Sequence, residues 1–300
     1  MSMHFTGVGT ALVTPFTPSG ELDEAGVRRL GRRQIEAGIH FLVPCGTTGE
    51  NPTLSDAERV RIVEILVDEA AGRVPVLAGA GGYDTREVIH LAGLMKKAGA
   101  AGLLSVTPYY NKPTQEGLFL HYRALAESTD LPIVVYNVPG RAGVNVEPAT
   151  LARLATLPTI VGVKEASGNI SQMIDICRLL PPEFIVLSGD DAITLPLMAV
   201  GGRGVISVAS NEIPGDMVQM VEAAARGDFA AARAVHDRIM PLMQVNFVES
   251  NPVPVKAAMA AMGLLDETYR LPMCPPLPTS RDRIVRVLRD LHLIEPAPAK

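Results

Sequence analysis

Eight short runs rich in Val, Ile and Leu alternate with longer amphipathic stretches, and this alternation limits the fold more than any other feature. The apolar runs lie at 8–13, 41–44, 74–78, 102–106, 133–136, 160–164, 185–188 and 204–208. Their nearly continuous apolar character is how strands covered on both faces of a parallel sheet read. Helical patterns fill the gaps at 24–37, 55–70, 84–98, 114–128, 147–155, 169–180 and 192–200. The second opens on Ser55 with Glu58 three residues later, a capping box. Eight strand–helix units in one run predict a closed (β/α)8 barrel, an α/β TIM barrel. After the eighth apolar run only helical patterns follow, at 214–226, 228–243, 252–262 and 280–291. The expected division is therefore a catalytic barrel over 1–226 and a C-terminal helical part over 227–300. Residues 271–278 are expected to be an extended Pro-rich connector and 296–300 a disordered tail.

A doubly wound nucleotide-binding sheet fits less well. Its GxGxxG turn after the first strand is missing, and there is no GxxxxGK[ST]. The Gly-rich stretch at 78–82 follows the third run and reads as a tight turn. Gly201-Gly202-Arg203-Gly204 precedes a strand, not a helix, so it also reads as a turn and not as a phosphate loop.

Composition excludes several partner classes. Lys and Arg number 27 against 32 Asp and Glu, a net charge of −5, which argues against nucleic acid or an anionic membrane. Aromatics are 4% of residues, too few for a base-stacking platform. The three Cys (45, 177, 274) form no CxxC, and the six His no HxxH or HxxxH. Neither a disulfide framework nor a metal centre is expected, and no organic cofactor. No uninterrupted apolar run approaches the ~18 residues of a membrane span, and the first residues lack a basic, apolar leader. A cytoplasmic location is the expectation.

In such a barrel the chemistry sits where strands end at their C-terminal side. Lys164 ends the sixth run and by period 2 shares a face with Ile160 and Gly162. Facing inward, with Gly162 leaving it room, its amine is a Schiff-base nucleophile made reactive by an apolar setting. Facing water, it is a strand-end lysine paired with Glu165. Tyr136 ends the fifth run, and with matched register its phenol lies beside Lys164, either as a proton carrier or as a cap on the barrel core. Thr47 and Thr48, in Gly46-Thr47-Thr48-Gly49-Glu50, are either a carboxylate cradle or a polar turn. Arg141, on a loop after the fifth run, is either a bidentate carboxylate clamp or a surface arginine.

These motifs together resemble the dihydrodipicolinate synthase / N-acetylneuraminate lyase family of pyruvate-dependent class I aldolases and lyases. The likeness runs from about Gly7 to Leu291. It is carried by 9–16 (GTALVTPF), 46–50 (GTTGE), 108–113 (PYYNKP), 136–141 (YNVPGR), 162–167 (GVKEAS), 188–191 (SGDD), 204–208 (GVISV) and 251–256 (NPVPVK). It implies that Lys164 forms an imine with pyruvate. Tyr136, Thr48 and Tyr110 would relay protons, with Tyr110 serving a neighbouring subunit's site. Backbone amides of Thr47 and Thr48 would hold the pyruvate carboxylate, Gly189 and the Ile206 carbonyl would line the substrate site, and Arg141 would take the second substrate's carboxylate. A homotetramer, a dimer of dimers, is implied as well.

Gly-Thr-Thr-Gly-Glu with Arg141 is similar to the synthase branch, whose second substrate is L-aspartate-4-semialdehyde and whose product feeds diaminopimelate and lysine biosynthesis. The alternative is another aldolase or lyase of the family, acting on N-acetylneuraminate or a keto-deoxy sugar acid. Relatives inhibited by lysine bind it near Tyr109 and the helix after Glu50. This chain has Asn51, Pro52, Asp56, Arg59 and Tyr83 there. Repulsion of a lysine ammonium by Arg59 implies weak inhibition or none.

Overall fold

The computed structural model describes residues 5–295. Eight parallel strands follow one another in the order of the chain: β1 (Gly7–Ala11), β2 (Phe41–Val43), β3 (Leu77–Gly79), β4 (Gly102–Val106), β5 (Ile133–Asn137), β6 (Ile160–Glu165), β7 (Ile185–Ser188) and β8 (Gly204–Ser207). Each pairs with its neighbour, β8 returns to β1, and a parallel bridge from Leu42 to Val76 joins β2 to β3 and closes the ring. The expected TIM barrel is the fold. The third strand begins later than its apolar run, because Pro75 has no N–H to give a ladder and only its carbonyl accepts, from Leu42.

The helices are α1 (Glu24–Glu36), α2 (Asp56–Ala70), α3 (Thr85–Lys97), α4 (Gln115–Ser128), α5 (Pro139–Ala142), α6 (Pro148–Leu154), α7 (Ile170–Leu179), α8 (Thr194–Ala199), α9 (Pro214–Ala225), α10 (Phe229–Val245), α11 (Val253–Ala261) and α12 (Pro278–Asp290). The Ser55–Glu58 capping box is present at the start of α2. Helix α5 was not expected from the sequence. Pro139 supplies a preset φ at its first turn, and Gly143 ends it at φ 71°. Arg141 therefore sits on one helical turn and not on a loop. Pro278, expected in the connector, begins α12 for the same reason. The expected disorder of 296–300 lies outside the described residues.

Two apolar layers follow from strand alternation. Val8, Leu42, Ala78, Leu103, Val135 and Val186 face the helices. Phe41, Leu77, Leu104, Val134, Leu187 and Ile206 fill the barrel. Phe5 and Phe41 meet edge to face at 5.7 Å within that interior layer. Gly9 and Gly102 lack the Cβ that would strike those rings. Phe5 precedes β1, so these rings close the barrel at the strands' N-terminal end, and the site must open at the other.

The glycines at 78–82 act differently from a tight turn. A Cβ on Gly79 would strike the Cys45 carbonyl, and one on Gly81 would lie 2.6 Å from Val106. They permit close crossing of backbone at the mouth of the barrel, which a bare Gly-rich motif does not distinguish from a turn.

Candidate active site

A cavity of about 210 Å³ opens at the C-terminal ends of β2 to β5. Thr47, Tyr136 and Arg141 line it, with Cys45, Gly81 and Tyr109. Burial pushes the Cys45 thiol up to about 12, so it stays protonated and serves as apolar wall.

Lys164 is next to this cavity. Tyr136 on β5 is its register partner on β6, so the two side chains leave the sheet side by side. Lys164 is 5% exposed, and its Nζ lies 4.3 Å from the centroid of the Tyr136 ring. The amine rests on the ring's face. Among the described residues Nζ has no hydrogen-bond acceptor and no carboxylate partner. Glu165 does not pair with it. That carboxylate is fully buried and accepts from Asn137 Nδ2 at 2.8 Å and from the Ser167 N–H at 2.8 Å. Asn137 Oδ1 in turn accepts from the Val146 N–H. Glu165 thus ties together the loops after β5 and β6 and leaves the lysine free.

Gly162 does not make room for Lys164. The β5–β6 ladder slips after the Ile133–Ile160 pair, so that Val134 faces Gly162 and Val161 is an extra residue. Period 2 fails across this bulge: Ile160 packs toward the helices, whereas Val161 packs into the barrel. A Cβ on Gly162 would lie 2.5 Å from the Ile185 carbonyl oxygen, so its missing side chain serves the approach of β7. The room for the lysine comes from Gly189. A Cβ there would be 2.6 Å from Ala166 Cβ and 3.0 Å from Lys164 Cε.

The turn at Gly46–Glu50 forms the facing wall. Gly49 and Glu50 N–H groups bond back to Gly46 and Thr47 carbonyls at 3.1 Å. The Thr47 and Thr48 N–H groups have no acceptor among the described residues. Two such amides side by side are an anion cradle. Thr48 Oγ1 is buried and accepts from Asn251 Nδ2 at 2.9 Å. A hydroxyl has one proton, so Thr48 is left to donate elsewhere. Arg141 Nη2 donates to the Asn251 carbonyl at 3.4 Å. Asn251 thereby joins Thr48 and Arg141 although it comes from the C-terminal part. The NPVPVK motif held it, but spacing carried no signal that 251 meets 48.

The remaining candidates are more dispersed. Ile206 is buried in the interior layer, and the segment after it is fixed by Asp191, whose Oδ2 accepts from the N–H groups of Val208 and Ala209 at 2.9 Å. Burial raises the Asp191 carboxyl above the ordinary range. Tyr110 does not join the site of its own chain. It is 91% exposed with φ at 71°, next to Tyr109, whose ring packs on Tyr83 at 5.5 Å. Arg59 donates to Asp56 at 2.6 Å and twice to Asn51 at 2.8 Å. Its charge is thus paired, and the acceptors of Asn51 are occupied.

Among the described residues no helix is long and apolar enough to cross a membrane, and no group of three His, Cys, Asp or Glu is placed to hold a metal.

Known proteins resemble this chain in sequence and in fold. The model of the dihydrodipicolinate synthetase family matches residues 4–291. The 4-hydroxy-tetrahydrodipicolinate synthase of Koribacter versatilis is 50% identical over 296 residues, covering 98% of this chain and 99% of that protein. The one from Syntrophus aciditrophicus is 52% identical over 290 residues, covering 97% and 99%. The crystal structure of the Thermotoga maritima dihydrodipicolinate synthase superposes with a TM-score of 0.95 at 46% identity, covering 97% and 99%. A chloride-inhibited dihydrodipicolinate synthase from Acinetobacter baumannii, in complex with pyruvate, superposes with a TM-score of 0.95 at 40% identity, covering 97% and 100%. Sequence and barrel converge, and the chain belongs to the dihydrodipicolinate synthetase family.

Proposed function

We propose that the protein condenses pyruvate with L-aspartate-4-semialdehyde to 4-hydroxy-tetrahydrodipicolinate, through an imine on Lys164. One observation carries this reading: a nearly buried lysine near the C-terminal end of a barrel strand has its Nζ on a tyrosine ring and, among the described residues, no competing acceptor. The amine adds to the ketone carbon of pyruvate and water leaves, giving the imine. The imine draws electrons from the methyl carbon, which loses a proton to form an enamine. That carbon bonds to the aldehyde carbon, and the new alkoxide takes a proton. The amino group of the second substrate then adds to the imine carbon and Lys164 leaves as the free amine. The balance is two substrates to one ring and one water.

Placement supports the following roles. Tyr136 stands beside Lys164 and carries protons in both addition and release. Thr48, its oxygen already accepting from Asn251, donates onward in the same relay. The free amides of Thr47 and Thr48 receive the pyruvate carboxylate. Gly189 and the Ile206 carbonyl flank the imine. Arg141, on the cavity rim, pairs with the carboxylate of the aldehyde substrate. This contact favours an amino-acid aldehyde over a sugar acid, which would need hydroxyl partners at the rim. Tyr110 points away from its own barrel and completes the relay of a neighbouring copy in a homotetramer.

Two measurements test the reading. Borohydride with pyruvate should add a reduced pyruvoyl mass to the protein, and Lys164→Ala should abolish it. A coupled assay with pyruvate, aspartate-4-semialdehyde and a reductase that consumes the product should show turnover. A protein that traps pyruvate yet turns over only sugar-derived aldehydes would overturn the choice of second substrate.

A further inference from the structure

One buried ion pair takes no part in the chemistry above. Lys256, on α11, is 0% exposed. Its three ammonium hydrogens meet three acceptors: Glu50 Oε1 at 2.6 Å, the Thr268 carbonyl at 2.6 Å and the Thr14 carbonyl at 3.1 Å. Phe16 and Tyr269 flank it, with ring centroids at 4.5 and 5.3 Å. The other Glu50 oxygen accepts from the Arg270 N–H at 3.2 Å. Burial, with the Arg270 charge adding to it, holds the lysine below its ordinary value, and the Glu50 carboxylate only partly opposes that. Desolvating two charges costs about what their attraction returns, so such a pair is a weak source of stability compared with apolar packing. Its effect is better sought in geometry.

Glu50 closes the Gly46–Glu50 turn at φ 54°, in the left-handed region that a non-glycine residue adopts only when held there. The two residues before it are held as well. Thr14 Oγ1 donates to the Gly49 carbonyl at 2.7 Å, and Asn251 Nδ2 donates to Thr48 Oγ1. Three consecutive residues thus have three separate anchors, from the loop after β1 and from two points at and before α11. None of these anchors uses the Thr47 or Thr48 N–H groups, which have no acceptor among the described residues.

We propose that Lys256 is a positioning residue for the substrate carboxylate: through Glu50 it holds the turn in the shape that keeps the Thr47 and Thr48 amides aimed together. This rests on the reading of those amides as the pyruvate carboxylate site. The C-terminal part then sets the affinity for the keto acid without touching it.

The test uses the full-length protein with pyruvate as probe. Glu50→Gln combined with Lys256→Met removes both charges at nearly constant volume. Glu50→Gln alone keeps the lysine and an acceptor for it, and serves if the pair does not fold. Arg281→Gln, which breaks the ion pair of Arg281 with Glu267, a carboxylate that also accepts from the Tyr269 hydroxyl, controls for lost stability. Half-saturation by pyruvate is read from borohydride trapping, alongside melting temperature and half-saturation by aspartate-4-semialdehyde. Pyruvate half-saturation should rise about tenfold in the double variant and about threefold in the single, with the aldehyde's within about twofold of the parent. The control should lose stability without that split. Folded Glu50 variants that bind pyruvate within about twofold of the parent would overturn the inference. A parent that traps no pyruvate would instead refute the carboxylate reading beneath it.

Discussion

Lys164 and Gly189 meet where one side chain needs the volume that the other lacks. The methyl group of Gly189→Ala would lie 2.6 Å from Ala166 Cβ and 3.0 Å from Lys164 Cε, so the lysine stem must shift. Overpacking of this kind costs about 1–3 kcal/mol of stability. The larger effect falls on chemistry, because about 1 Å of displacement can cost a hundredfold in rate. Gly189→Ala should therefore trap pyruvate at least about tenfold more slowly at saturation. An unchanged trapping rate would show that the glycine gives the lysine no needed room. Lys164 was legible in the sequence, since a charged residue ending an apolar strand is conspicuous. Gly189 enters the site in the sequence only by resemblance, and the room it gives Lys164 is there assigned to Gly162. A missing side chain has no pattern of its own: its meaning depends on which atom lies opposite.

The elements show the same limit and add a pH dependence. Strand and helix positions were readable because buried strands and amphipathic helices carry distinct periods. The bulge at Val161 and the single turn of α5 were not, since each depends on a neighbour's register or on one turn of chain. Helices α3 and α4 are joined by a contact that spacing does not reveal. His121 Nδ1 lies 2.9 Å from Thr85 Oγ1, while its Nε2 is buried without a partner. Burial lowers the imidazole from 6.5 to about 4. Between those values the unfolded chain binds the proton and the folded chain does not, so stability falls as pH falls. Above 6.5 both states are neutral and the term vanishes. Glu58, held down to about 2 by the Arg270 guanidinium, adds its own loss only below its ordinary 4.5. Buried Glu212, raised well above 4.5, contributes in the opposite sense, so the His121 loss is read as a difference: the melting temperature of the parent relative to His121→Gln should begin to drop near pH 6.5, with the steeper decline below 4.5 common to both. An identical upper decline in the variant would clear His121 of responsibility.

At the scale of the molecule, a net charge of −5 must be reconciled with two substrates that each carry a carboxylate. On the proposed reading their capture is local, by the free amides at Thr47 and Thr48 and by Arg141, and not by a long-range field. The exposed Tyr110 makes a further demand on the assembly. If it serves a neighbouring copy, Tyr110→Phe and Lys164→Ala chains, each nearly inactive alone, should complement on mixing and reassembly. Half of randomly formed dimers would hold one intact site of two, giving about a quarter of parental activity. No recovery would place Tyr110 outside the relay. The barrel, the candidate nucleophile and, by resemblance, the kind of substrate were readable along the chain. They rest on period, on strand-end chemistry and on motifs that are short and contiguous. Which glycine clears the lysine, how Asn251 joins Thr48 to Arg141, and how Lys256 reaches Glu50 across 206 residues were decided by the tertiary structure alone. Periodicity is a local property of neighbouring residues. A hydrogen bond between distant ones exists only once the whole barrel has closed and brought its helical C-terminal part against the mouth.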